Sequence, residues 1–379
     1  MNLTSPSPLP VSPTDPTNEA ILRVSEDQLQ GFVRQPMEEI SRLSGIPLND
    51  VINRIRAMLR AGTIRRVRQT FLTTNLAPGA LVAWQVPPDR LDPTFDFFFK
   101  HDPFTGHVVI RSTDPGAPGA AYRLWTTLKV PQGFSMQRHC QLLSRLTGAG
   151  PFRLMPAQAV FTLGVGHSRR KNLQPGDRAP TTAEPRHVEV TPLTPEEWRV
   201  LGVMKREFTP EELTPNLWDA RAAELGLSPD TFCTIGHTLQ QKGVMGRFST
   251  FLEHVKPLAD GERVTRFNAL FHWAVPPGLE RQAGMEVARH YIMTHAYWRE
   301  GGPEFNHVNI MGVAHGTDKE RVRAHKAAID QHLAQIPIPV SYTNIFWGGR
   351  SEIKPSEFFP DAYETWARSH HTDPASLRS

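Results

Sequence analysis

Residues 80–88 read ALVAWQVPP, and residues 269–277 read ALFHWAVPP, with six of the nine positions identical. Each is a short apolar run closed by a Pro-Pro pair, so each reads as a strand ending at its prolines. One chain that writes this strand twice predicts a duplicated architecture. The flanks agree. LSGIPLNDVINRIRAMLRAGTIRRV at 43–67 lines up with ELGLSPDTFCTIGHTLQQKGVMGRF at 224–248, placing Gly45 on Gly226 and Gly62 on Gly243, and the TFL of 70–72 returns at 250–252.

Each repeat divides in two. Met37, Ile40, Leu43 and Ile46 recur at helical spacing, SGIP makes a turn, and Val51, Ile55, Met58 and Leu59 mark a second amphipathic helix. Two short helices around a tight turn, then a strand pair, outline a winged helix-turn-helix. NLWDARAAE and PDTFCTIGHTLQQ repeat the helices in the second half. The remainder of each repeat runs strand, helix, strand, strand, helix, strand. This is the ferredoxin-like βαββαβ order. In the first half the segments are ALVAWQVP, RLDPTFDFFFKH, GHVVIRS, AYRLWTTLKV, SMQRHCQLLSRLTG and a final strand FRLMPAQAVFTLG.

The fold class is therefore α+β, a tandem duplication of winged helix-turn-helix plus ferredoxin-like domain. The expected boundaries are a disordered tail at 1–19 and a helix-turn-helix at 20–75. A ferredoxin-like domain follows at 76–171 and a linker rich in Pro, Thr and charge at 172–194. The second helix-turn-helix spans 195–255, the second ferredoxin-like domain 262–355, and a C-terminal tail 356–379. A sheet of this kind has one face under helices and one bare. A second copy can cover the bare face, which predicts a pseudo-dimer within one chain; further homo-oligomerisation is left open.

The chain has 379 residues and a formal net charge of +4, and only two cysteines, Cys140 and Cys233. That cysteine count excludes a disulfide framework and a thiolate metal site and fits a reducing cytoplasm. The start of the chain lacks a basic segment followed by an apolar run, so no secretory signal is expected, and no apolar run is long enough for a membrane span. The mild basicity permits an acidic partner.

Two segments of the second half carry chemistry. THAYWRE (294–300) precedes NHVNIMGVAHG (306–316), putting His295, Tyr297 and Arg299 on one strand and Met311, His315 and Gly316 on the next. In the first half GHVVIRS gives His107 and Arg111, with Val109 where the second half has Tyr297, and YRLWTTLKV carries Arg123 and Lys129. A helix-turn-helix followed by βαββαβ resembles the Lrp/AsnC regulators. The His-x-Tyr-x-Arg strand before a Met…His-Gly strand is similar to the siroheme decarboxylases, with one extra residue between Met311 and His315.

The second resemblance implies removal of acetate carboxyl groups from siroheme, giving didecarboxysiroheme for heme or heme d1 biosynthesis, by paired units and without an organic cofactor. The iron tetrapyrrole is then the substrate, and no resident metal is expected. It also implies roles. His295, His107 and His315 become the catalytic candidates, as proton donors or anchors, because imidazole suits proton delivery at neutral pH. Arg111, Arg299, Arg123, Lys129 and Tyr297 become the substrate-binding candidates, because guanidinium forks clamp carboxylates. Trp84 and Trp273 read as core aromatics. GVGHSRRK (164–171) reads as an exit loop.

The alternative reading is a transcriptional regulator. Residues 51–68 hold six arginines and no acid, and Arg54, Arg56 and Arg60 would face DNA phosphates. The equivalent stretch 232–249 holds only Lys242 and Arg247. Two unlike recognition helices suit a symmetric operator poorly.

Overall fold

The computed structural model describes residues 9–163, 173–182, 184–187, 189–252, 267–316 and 318–379. In chain order the first half contains α1 (Pro16–Ser25), α2 (Pro36–Ser44), α3 (Leu48–Arg60), β1 (Ile64–Phe71), β2 (Gly79–Gln85), α4 (Leu91–Lys100), β3 (Thr105–Ser112), β4 (Tyr122–Lys129), α5 (Met136–Thr147), β5 (Phe152–Pro156) and β6 (Ala159–Leu163). A short β7 (Arg186–His187) follows. The second half contains α6 (Pro195–Lys205), α7 (Asp219–Glu224), α8 (Pro229–Gln241), β8 (Met245–Leu252), β9 (Phe267–Ala274), α9 (Glu280–Arg289), β10 (Met293–Trp298), β11 (Ile310–Gly316), α10 (Lys319–Gln335), β12 (Tyr342–Ile353) and α11 (Pro360–Ser369).

The chain forms two compact units that group the repeats by kind. One comprises Met1–Leu76 with Thr191–Gly261, and the other Ala77–Val190 with Glu262–Ser379. In the helical unit, α3 buries Val51, Ile52, Ile55 and Met58, and α8 buries Phe232, Cys233, Gly236 and Leu239. Helices α2, α3, α7 and α8 form where the sequence predicts helices. Among the described residues the expected strand pair within each half does not form. Among them each half contributes one strand to this unit, and β1 pairs antiparallel with β8, Val67 opposite Thr250. A lone strand leaves its ladder groups unpaired, and the other repeat supplies the partner.

The sheet unit confirms the duplication by topology. Its order is β5-β2-β4-β3-β12-β9-β11-β10-β6-β7. The first four and the next four strands each run fourth, first, third, second within their own half. The two sheets are not separate, because β3 pairs with β12 and joins them edge to edge, with Gly348 opposite Arg111.

The single final strand expected over 152–164 is a second correction. Pro156 ends β5, which stays beside β2, and β6 restarts at Ala159 and pairs with β10 at the other end of the sheet. Proline cannot donate to a continuing ladder, and the chain changes partner there. Phe161 of β6 packs so closely on α9 that a Cβ on Gly284 would stand 2.1 Å from its ring. Arg299, just past β10, donates to the carbonyl of Met155 in β5. Strands at opposite ends of the order are thus neighbours in space, so the sheet curls and its helix-free face turns inward.

Three cores follow. α4 and α5 cover one half of the sheet through Trp84, Phe95 and Leu143, and α9 and α10 cover the other through Trp273, Val287 and Ile329. The inward face holds the third, around Trp125, Met311 and Phe346. Trp84 and Trp273 both lie on helix-covered faces as expected, with their indole N–H groups donating to Thr126 and Asp330.

Two tails are also corrected. Helix α1 begins at Pro16 inside the expected disordered segment, capped by Asp15, and Asn18 is fully buried. Residues 356–379 fold rather than trail. Tyr363, Trp366 and Leu377 join the core beneath α4 and α5. Part of the expected linker is ordered as well, since β7 pairs with β6. GVGHSRRK (164–171) lies outside the described residues.

Candidate functional site

Side chains alternate across a strand, so the helix-covered face of each strand fixes what the inward face must carry. On β3, Val108 packs under the helices, leaving His107, Val109 and Arg111 on the other side. On β11, Ile310 and Ala314 face the helices while Met311, Val313 and His315 alternate with them. On β9, Phe271 and Trp273 face the helices, and Asn268, Leu270 and His272 alternate with them.

The inward residues include a hydrogen-bonded row. Arg111 Nη1 donates to Asn268 Oδ1 at 3.0 Å and more loosely to the Phe346 carbonyl at 3.4 Å. Asn268 Nδ2 lies 3.1 Å from His315 Nε2. Thr294 Oγ1 lies 3.3 Å from His315 Nδ1 and 3.0 Å from His295 Nδ1. His107 stands near this row and bonds the Ser351 hydroxyl through Nε2 at 2.8 Å.

The electrostatics are those of a buried cationic face. Arg111 is 4% exposed and Arg299 8% exposed, and among the described residues neither meets a carboxylate. Burial pulls the Arg111 guanidinium down to about 9 and lowers that of Arg299. Burial, then the charges of Arg111, His315 and His295, pull His107 down to about 4. That coupling shows histidines of both halves sharing one neighbourhood. Arg299 lies over the Tyr297 ring, which in turn stacks near His295 at 6.2 Å between centroids.

The other candidates are more peripheral. Lys129 is half-buried near the end of β4, with burial drawing its ammonium down to about 8. Arg123 is exposed, and its Nε donates to the Arg111 carbonyl at 2.9 Å. Among the described residues no group of three His, Cys, Asp or Glu side chains is placed to hold a metal ion.

Sequence reasoning passed over two residues. Asn268 carries no motif, and only its register opposite His315 reveals it. His272 stands in the duplicated stretch itself, where the first half has Ala83. It is fully buried against Trp125, Phe305 and Phe346, and burial followed by the charges of Arg111 and Lys326 pulls it down to about 3. A histidine inside an apolar strand was the available signal.

In the helical unit, the arginines proposed for phosphates are engaged by the chain. Arg54 donates to Asp15 and Asn18, Arg56 to the carbonyls of Pro210 and Leu213, and Arg60 to Glu211.

No protein-family model matches the chain. It is 26% identical over 164 residues to the siroheme decarboxylase alpha subunit of Desulfovibrio desulfuricans, covering 41% of this chain and 90% of that relative. Its fold matches the crystal structure of the siroheme decarboxylase NirDL at a TM-score of 0.69 and 18% identity, covering 93% of this chain and 97% of that one. The same enzyme in co-complex with an iron-uroporphyrin III analogue matches at 0.69 and 19% identity, covering 93% and 98%. The likeness to the siroheme decarboxylases read from the sequence is thus met again in a sequence relative and in solved structures of similar fold. Among the described residues no helix is long and apolar enough to cross a membrane.

Proposed function

We propose that this chain is a siroheme decarboxylase, a carbon–carbon lyase that removes acetate carboxyl groups from siroheme to give didecarboxysiroheme for heme or heme d1 biosynthesis. The observation that carries the reading is the pair of buried arginines, Arg111 and Arg299, on a face shared with three histidines. A buried guanidinium without a facing carboxylate is costly, and an incoming polycarboxylate offsets that cost. The likeness to the siroheme decarboxylase alpha subunit and to the NirDL fold supports the same substrate class.

The chemistry assigns roles. Arg111 and Arg299 clamp spectator carboxylates, with Arg123, Lys129 and the Tyr297 hydroxyl as outlying donors. In the reacting acetate the bond to the carboxyl carbon breaks. CO₂ leaves, and the electron pair stays on the methylene carbon, spread into the macrocycle. That carbon then takes a proton. His107, drawn down to about 4 beside cations, is neutral near pH 7 before substrate binds. An arriving polyanion raises its affinity for a proton, so substrate binding itself charges the donor. His295 and His315 lie on the opposite side of the same cluster, as anchors or second donors.

One chain supplies both halves of the pair, without DNA or a membrane as partner. Cys140 and Cys233, both buried thiols, suit a reducing cytoplasm. The regulator reading is disfavoured because Arg54 and Arg56 are spent on contacts within the chain. The test is anaerobic incubation of the purified protein with siroheme, followed by mass spectrometry of the tetrapyrrole. Products lighter by one and then two carboxyl groups are expected. Unchanged siroheme at equimolar enzyme would overturn the proposal.

A further inference from the structure

We infer that Asn268 and Thr294 are positioning residues that fix the tautomers of His315 and His295. The argument needs only donor and acceptor chemistry. A guanidinium has donors and no acceptor. The Asn268 atom facing Arg111 Nη1 at 3.0 Å is therefore the amide oxygen, which leaves the amide nitrogen facing His315 Nε2 at 3.1 Å. That nitrogen can only donate. His315 Nε2 accepts, and its ring proton sits on Nδ1.

The same logic runs one step further. His315 Nδ1–H points at Thr294 Oγ1 at 3.3 Å, so the hydroxyl oxygen accepts there. The one hydroxyl hydrogen goes to the Val313 carbonyl at 3.0 Å. Thr294 then has no hydrogen left for His295 Nδ1, 3.0 Å away, so His295 also carries its proton on Nδ1. In that tautomer Nε2 is the lone-pair nitrogen of the His295 ring.

The register explains why Arg111 can reach so far. Arg111, Gly348, Asn268 and His315 form one row across β3, β12, β9 and β11. The position between Arg111 and Asn268 is glycine, and a Cβ there would stand 3.2 Å from both Asn268 Cβ and its carbonyl oxygen. The fixed charge at one end thus orients every donor to the other end. The amide N–H that faces Nε2 opposes a proton on that nitrogen.

This inference rests on the proposed function for its purpose, since the histidines matter only if they serve the tetrapyrrole site, but its test does not. Nitrogen-15 NMR of histidine side chains in the full-length, substrate-free protein distinguishes Nδ1–H from Nε2–H rings, with His295→Gln and His315→Gln assigning the signals. Both rings are expected as Nδ1–H. Asn268→Asp replaces the amide donor with an acceptor, so His315 should gain a proton on Nε2. Thr294→Val should release His295 from its single form while His315 keeps Nε2 unprotonated. An Nε2–H tautomer at His315 in the unaltered protein, or no change in Asn268→Asp with the fold intact by circular dichroism, would overturn the inference. If the tautomers are as stated and siroheme is not turned over, the relay stands and the proposed function fails. Turnover with the wrong tautomers gives the converse.

Discussion

Arg299 stacks its guanidinium on the Tyr297 ring, 4.4 Å from the ring centroid, while reaching back to the carbonyl of Met155. The contact has two parts that substitution can separate. The ring supplies a face for the cation, and the fork supplies donors. Tyr297→Phe keeps the ring and should leave tetrapyrrole affinity within about fivefold, because a neutral hydrogen bond contributes only about 1 kcal/mol net. Arg299→Lys loses the planar fork. It should weaken binding about tenfold or more, since a charge-assisted bond contributes about 1.5–3 kcal/mol. Absorbance titration with iron uroporphyrin reads both, and equal affinity for the two variants would exclude Arg299 as a clamp.

Acid should loosen the sheet unit by a defined route. His107 is drawn down to about 4, His272 to about 3 and His290 to about 4, each chiefly by burial. In the unfolded chain these rings take protons near pH ~6.5. Their stabilising contribution is complete above that pH and is lost as the pH falls towards the folded values, at up to about 1.4 kcal/mol per pH unit per group. Thermal melts at pH about 7.5 and about 5 should differ by several degrees, and His272→Phe should narrow the gap by removing one of the groups. A gap as wide in His272→Phe as in the unaltered protein would show that His272 is not among the responsible rings.

The arginine-rich helix α3 should behave as structure and not as a DNA reader. Arg56 donates to two carbonyls and Arg54 to Asp15 and Asn18. Arg56→Ala should lower stability by about 1–3 kcal/mol through the acceptors it abandons. Gel retardation of duplex DNA should be weak and unchanged in the variant. Tight retardation with a steep salt dependence, abolished in Arg56→Ala, would restore the regulator reading.

The C-terminal segment should be required for folding of the sheet unit. The Trp366 indole N–H donates to the His101 carbonyl, and the Tyr363 hydroxyl bonds His139 Nδ1 at 3.0 Å inside the same core. Trp366→Ala should cost about 3–5 kcal/mol, as emptying a large buried site does. Chemical denaturation measures it, and a cost under about 1 kcal/mol would mean that the segment merely rests on the surface.

The local elements were legible and their partners were not. The repeated Trp-x-Val-Pro-Pro strand places β2 and β9 at equivalent points, and the motif segments place His107, Arg111, His295 and His315 on strands of a sheet with one covered face. Partner choice is a long-range property that no local pattern encodes. Nothing in IRRVRQTF says that it pairs with MGRFSTFL. Nothing in FRLMPAQAVF but Pro156 hints that its two parts lie at opposite ends of one sheet. The C-terminal helix α11 was missed because its core contacts, Tyr363 and Trp366, lie on a short amphipathic stretch among Pro, Ser and Asp that reads as loop. Asn268 was invisible because its importance comes from register with His315 and Arg111, which exists only once β9, β11, β12 and β3 are aligned.

The account stands on Arg111 as a buried cation that meets no carboxylate among the described residues and receives one from the substrate. Titrating the full-length protein and Arg111→Met with iron uroporphyrin, and following the Soret band, tests it. The unaltered protein should bind saturably and Arg111→Met about tenfold or more weakly, with its fold intact. Equal affinity for both proteins, or no binding by either, would contradict it.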